Sequence, residues 1–189
     1  MLKAESREHR KYYVLPAMIT YFNMFLGAIA IFISNTTNMN KIKIACVLIL
    51  LAAITDKVDG FIARKLNMTS EFGRELDSLC DLVSFGLAPT IIGLNIHGNY
   101  LGLLEIAVSL LFIGTGIFRL ARFNIEKETC YIIGLPITIA GGILVTKYII
   151  DINYRIMESS LNLSYENLII TVILSFLMIS TFRVKKPNI

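Results

Sequence analysis

Residues 55–82 read TDKVDGFIARKLNMTSEFGRELDSLCDL, and this stretch decides how the chain folds and what chemistry it can host. It carries four aspartates, Asp56, Asp59, Asp77 and Asp81, between runs apolar enough to lie in lipid. An ionised carboxylate at the centre of a bilayer costs at least ~2.5–3.5 kcal/mol on insertion scales, so four of them need compensation. The spacing indicates its form. Asp56 and Asp59 are three residues apart and Asp77 and Asp81 four apart, so each pair shares one face of a helix. The short link between them makes the two helices antiparallel neighbours, and the two acidic faces can meet. Converging hard oxygen ligands suit Mg2+ or Mn2+. Two such ions balance four carboxylates and keep coordination positions for an incoming diphosphate, the arrangement that clamps attacking and leaving oxygens in a phosphoryl displacement.

Outward from this stretch the chain is greasy. Hydrophobic residues make up 55% of its 189 residues, charged residues only 17%, and the mean hydropathy is +0.66. A soluble domain carries about 25% charged residues, so that class is excluded. Six segments, 14–34, 42–65, 72–96, 100–123, 134–152 and 165–182, approach the ~20 apolar residues a spanning helix needs. The expected fold is all-α: a polytopic membrane protein with six transmembrane helices forming one domain, 1–189. The links are too short for a separate catalytic domain, so any chemistry falls to the helices. With the N-terminus in the cytoplasm, 14 of the 18 Lys and Arg lie on the inner side and 4 on the outer, which predicts both termini inside. The net charge of +4 then reads as topology and anionic-lipid contact, not nucleic-acid binding. Segment 5–13 reads either as a short interfacial helix on the inner leaflet or as a solvated tail. MLKAESREHRKYYV at the start has no small-residue cleavage pattern, so no secretory signal is expected. Cys46, Cys80 and Cys130 lack metal-ligand spacing and read as small apolar fillers.

Depth and neighbours refine the acidic site. Asp56 precedes Lys65 by nine residues, which places it ~14 Å inside the cytoplasmic end of its helix. A lipid head group can enter there sideways and a water-soluble partner from the cytosol. Gly60 and Ala63 give a smooth face for close approach, and Arg64 can pair with phosphate oxygens. Taken singly, Gly60 and Gly73 would be helix-packing glycines; their register with the aspartates gives them weight.

The register Asp56-xx-Asp59-Gly60-xx-Ala63-Arg64-x8-Gly73-xxx-Asp77-xxx-Asp81 resembles the signature of the CDP-alcohol phosphotransferases at every fixed position. The resemblance extends to the six-helix layout with cytoplasmic termini. It implies that Asp56, Asp59 and Asp77 bind a first metal and Asp56, Asp77 and Asp81 a second, with Asp81 also the general base. It further implies that Gly60, Ala63, Arg64, Ser70 and Gly73 contact the CDP-lipid, joined by Thr20 and Asn23 from the first helix. The implied reaction is attack of an acceptor alkoxide on the lipid-side phosphorus, with CMP leaving, and the implied assembly is a homodimer in the cell membrane.

DSLCDLVSFGLAP after Asp77, GIFRLARFN and GLP (134–136) resemble the phosphatidylserine synthase branch of that family. The DPLADK-like run of the glycerol-phosphate branch is absent, with Ser78 and Leu82 in place of its Pro and Lys. L-serine is therefore the expected acceptor. Serine is a zwitterion, and its carboxylate needs a cation. Arg119 and Arg122, three residues apart near the inner end of the fourth span, either bind it or anchor the membrane edge. Lys57, Arg74 and Lys147 rank below them. The competing expectations are an inositol phosphate or glycerol phosphate acceptor and, from a different class, a small metal-ion or proton transporter. A transporter gives no reason for Gly60, Ala63, Arg64 and Gly73 to stand in register. Acyl and ether-linked lipids would both meet only apolar helix surfaces.

Overall fold

The computed structural model describes residues 14–65, 71–97, 102–125, 131–154 and 160–185; segment 5–13, Ser70 and Cys130 lie outside them. The chain runs α1 (Val14–Ser34), α2 (Met39–Lys65), α3 (Glu71–Asp81), a π-helical stretch (Leu82–Leu87), α4 (Ala88–His97), α5 (Leu103–Ile125), α6 (Ile137–Tyr154) and α7 (Ser160–Ile179). The all-α reading holds. It gains one addition, a small antiparallel pair of β1 (Tyr131–Ile133) and β2 (Arg183–Lys185), with Ile132 opposite Val184.

Among the described residues, three helical stretches are long and apolar enough to cross a membrane: Glu71–Ile96, Leu103–Ile125 and Asn162–Ile179. Met18–Ser34 is apolar but shorter. The exterior agrees with a membrane protein, since Phe22, Phe25, Phe32, Leu110, Phe118 and Phe176 all face outward. Facing water, such a surface would be an aggregation liability; facing lipid it is solvated.

The Glu71–Ile96 stretch is not a regular α-helix. After Asp81 it widens, and the Ala88 N–H donates to the Val83 carbonyl five residues back. Ser84, Phe85 and Gly86 of this π-type turn are all buried, so it is enclosed by neighbouring helices on every side. Two glycines hold the wide turn. A Cβ on Gly27 of α1 would stand 2.6 Å from Ser84 Oγ, and one on Gly141 of α6 would stand 2.6 Å from the Phe85 carbonyl oxygen. Small residues thus admit backbone-close packing where apolar surface alone cannot drive helices together. Ser84 Oγ also donates to the Asn23 carbonyl at 3.1 Å, tying the turn to α1. Around it, Phe85, Ile92, Phe112, Ile137, Leu144 and Val145 form the core.

α6 begins at Ile137, later than the apolar run suggests, because Gly134 turns the chain with φ +68° and Pro136 starts the helix. Pro136 lacks the N–H that a first helical turn leaves unused, and its carbonyl accepts from Ile139 (3.1 Å) and Ala140 (3.0 Å). The Gly134 and Leu135 N–H groups donate to the Phe182 and Leu177 carbonyls, both at 3.0 Å. This loop therefore fixes where α6 starts.

Candidate active site

Asp56 on α2 and Asp77 and Asp81 on α3 each present a carboxylate oxygen such that all three lie within 4.8 Å of one another. Asp77 and Asp81 share a face because they are one turn apart on α3, which packs against α1, and Asp56 reaches the same point from α2. Asp81 is buried, while Asp56 and Asp77 are half-buried. Three like charges this close repel strongly unless a cation stands among them. The donor set is oxygen only, as hard divalent ions prefer. Oδ1 of the buried Asp81 has no hydrogen-bond partner among the described residues, and a buried anionic oxygen left so is costly. The residues fit a metal site.

Asp59, three residues after Asp56, lies on α2, as do Ala63 and Arg64, but the side chains of all three fall outside the described residues. Gly60 and Gly73 are half-buried on α2 and α3. Thr20 and Asn23 are buried on α1, at 6% and 1% exposure, and neither the Nδ2 nor the Oδ1 of Asn23 meets a hydrogen-bond partner among the described residues. A buried amide with all its capacity unused is uncommon in folded chains and is a reason to look for a ligand.

The two arginines of α5 part company. Arg119 is 92% buried, with its guanidinium carbon 5.2 Å from the centre of the Phe123 ring, and its charge interacts with Asp81 and Asp56. Its Nε has no hydrogen-bond partner among the described residues. Arg122 is instead spent on backbone. Its Nη1 donates to the Ile179 carbonyl (3.1 Å) and its Nη2 to those of Ile133 (3.2 Å), Met178 (3.4 Å) and Ser180 (3.4 Å). It closes the C-terminal end of α7, where unpaired carbonyls and the helix dipole favour a cation. Of the two readings of Arg122, these contacts match the anchoring one. Of the lower-ranked cations, Lys57 and Arg74 are exposed, and Lys147 on α6 is held by Asp151 of the same helix and by Glu166 of α7 (3.5 Å).

Two contacts had no signal in the sequence. Thr138, in the first turn of α6, donates through Oγ1 to Asp56 Oδ2 at 3.4 Å. Asn124, at the end of α5, donates through Nδ2 to Ser78 Oγ (3.0 Å) and to Glu75 Oε2 (3.1 Å), which sets α5 in register with the acidic face of α3. Periodicity reports which face a residue occupies. It does not report which side chain on another helix it meets.

Comparison with known proteins agrees with this geometry. Residues 13–181 match the family described as CDP-alcohol phosphatidyltransferase. The chain is similar to the CDP-diacylglycerol–serine O-phosphatidyltransferase of Helicobacter pylori, with 37% identity over 174 residues, 90% of this chain and 71% of that one. It is similar to the Bacillus subtilis protein of the same name, with 35% identity over 175 residues, 92% of this chain and 90% of that one. The Methanocaldococcus jannaschii protein of that name is 33% identical over 180 residues, 95% of this chain and 78% of that one.

Proposed function

The chain belongs to the CDP-alcohol phosphatidyltransferase family, and on that premise we propose that it transfers a phosphatidyl-type group from a CDP-activated lipid to L-serine. The observation that carries this reading is the convergence of Asp56, Asp77 and Asp81 beside the buried, positively charged Arg119. Relatives named for the serine reaction support the choice of acceptor.

Asp56, Asp59, Asp77 and Asp81 would hold two divalent cations, Mg2+ or Mn2+, which when bound supply charge neutralisation for the diphosphate. The chain's own residues do the rest. Asp81 accepts the proton of the serine hydroxyl. The resulting oxygen forms a bond to the lipid-side phosphorus, the bond from that phosphorus to the CMP oxygen breaks, and CMP leaves. Arg119 orients the serine through its carboxylate, a charge-assisted contact whose geometry a guanidinium suits. Thr20, Asn23, Gly60, Ala63, Arg64, Ser70 and Gly73 cradle the CDP part of the lipid.

In this reading the whole chain is a single domain of six spans, the third formed by α3, the π-type turn and α4 together. The carboxylates and both termini then lie on the cytoplasmic side, supported by the basic-residue count. The test is release of CMP from a CDP-lipid by purified protein given serine, an inositol phosphate or glycerol phosphate, with and without chelator. Serine-dependent release that chelator stops is expected. Release with a phosphorylated alcohol in preference to serine overturns the acceptor. Cation flux into liposomes without CDP-lipid, and no release with any acceptor, would establish the transporter instead.

A further inference from the structure

Four backbone carbonyls converge on one guanidinium beside the start of α6. Arg122, in the last turn of α5, donates to those of Met178, Ile179 and Ser180 around the end of α7, and to that of Ile133 just before the Gly134 turn. The turn itself has no slack. Gly134 has φ +68°, and a Cβ there would stand 2.6 Å from the Met178 carbonyl oxygen and 2.9 Å from Arg122 Nη2. Its N–H and that of Leu135 donate to the Phe182 and Leu177 carbonyls, both at 3.0 Å. One side chain thus pins the turn to the end of α7, and the turn fixes the first residues of α6.

Four residues after Gly134 comes Thr138, whose hydroxyl donates to Asp56 Oδ2 at 3.4 Å. The same last turn of α5 also reaches α3, because Asn124 Nδ2 donates to Ser78 Oγ (3.0 Å) and to Glu75 Oε2 (3.1 Å). Ser78 directly follows Asp77. The carboxylate cluster is split between α2 and α3, and the end of α5 holds a route to each part. Asn124 leads to Asp77 and Asp81; Arg122 leads through the turn and Thr138 to Asp56. Small hard cations tolerate little error in the placement of their oxygen ligands, Mg2+ least. A side chain that fixes this placement acts on metal affinity without touching metal or substrate.

We propose that Arg122 is a positioning residue for the divalent-cation site. By clamping the Gly134–Pro136 turn it holds the Thr138 hydroxyl against Asp56, and so sets how tightly the carboxylates bind the ion. This rests on the metal site of the proposed function above. Arg119 and Arg122, three residues apart, then serve different ends: one the acceptor, the other the metal ligands.

The test is Mn2+ titration of the purified, folded protein, read by the electron paramagnetic resonance of the free ion. Arg122→Lys keeps a charge near the end of α7 but loses the planar fork that spans the carbonyls. Its Kd for Mn2+ should rise on the order of 10-fold, the scale of a lost outer contact to a metal ligand. KM for serine at saturating Mn2+ stays as in the wild type. Thr138→Val should give a similar rise, and the double variant no more than either alone, because both break one route. Unchanged Mn2+ affinity beside a lowered melting temperature makes Arg122 a helix cap only, and overturns the proposal. So does a double variant whose loss is the product of the single losses, or a serine KM raised at saturating Mn2+.

A second measurement needs no Arg122 variant. Coupling between two sites is reciprocal, so a bound ion must steady the turn if the turn steadies the site. In the wild type, Mg2+ should slow hydrogen exchange at the Gly134 and Leu135 N–H groups more than at the amides around Asp151. In Thr138→Val that difference should vanish. Equal slowing in both regions of the wild type overturns the link. A wild type that binds no Mn2+ sinks the metal reading of the site. One that binds it beside an Arg122→Lys of equal affinity sinks the clamp alone.

Discussion

Two acidic clusters stand about 20 Å apart along the bundle, thirteen residues of α6 separating Thr138 at one from Asp151 at the other. At the first, three carboxylates gather within 4.8 Å, and Oδ1 of Asp81 has no hydrogen-bond partner among the described residues. At the second, Asp151 is saturated from within the chain: Lys147 pairs with Oδ1, and Asn167 Nδ2 donates to Oδ2 at 3.1 Å. Both sites place carboxylates in segments that disfavour charge. One resolves the cost with its own cation and amide, the other by collecting carboxylates until a metal ion is the natural partner. Burial of an acid in a membrane helix is therefore no sign of catalysis. Convergence of several is.

The sharpest way to break the contrast is at Asp81. Asp81→Asn should lower CMP release on the order of a thousandfold, the scale of a lost general base and metal ligand, while CDP-lipid still binds. Wild-type turnover in this variant would remove the base assignment. Next comes Arg119→Lys, which keeps the charge and loses the planar fork. KM for serine should rise on the order of 10- to 100-fold, as loss of a charge-assisted hydrogen bond allows, with KM for the CDP-lipid unmoved. An unchanged serine KM ends its role as carboxylate ligand.

A smaller effect is expected at Thr138→Val. The hydroxyl donates to Asp56, a metal ligand in the proposed function, and outer contacts to such ligands are worth on the order of 10-fold in metal affinity. Mn2+ titration of the purified protein should show weaker binding, restored in Thr138→Ser; equal affinities in all three would leave Thr138 a bystander. The smallest effect on turnover belongs to the paired cluster. Asp151→Asn leaves Lys147 without its buried partner, which costs several kcal/mol. The melting temperature should fall while activity per folded molecule at low temperature stays near wild type. Loss of activity without loss of stability would show that the two clusters are not different in kind.

The legible parts of this protein were those written as periodic spacing. The shared face of Asp77 and Asp81 and the apolar runs each follow from one helix at a time, because a helix repeats every 3.6 residues whatever surrounds it. The start of α6, the Arg122 cap and the π-type turn were not legible. Each depends on a partner from a distant segment: Gly134 on the Phe182 carbonyl, Arg122 on the end of α7, and the Ser84–Gly86 turn on glycines of α1 and α6.

Sequence alone therefore determined a greasy helical chain with an acidic face suited to divalent ions, and the family that such a face resembles. Tertiary structure decided which arginine turns toward that face and which closes a helix end, that Thr138 reaches Asp56, and that Asp151 is silenced by Lys147. The physical reason is one of range. Helical faces come from contacts three or four residues apart, whereas the fate of a buried charge is set by whichever side chain packing brings within a few ångströms of it.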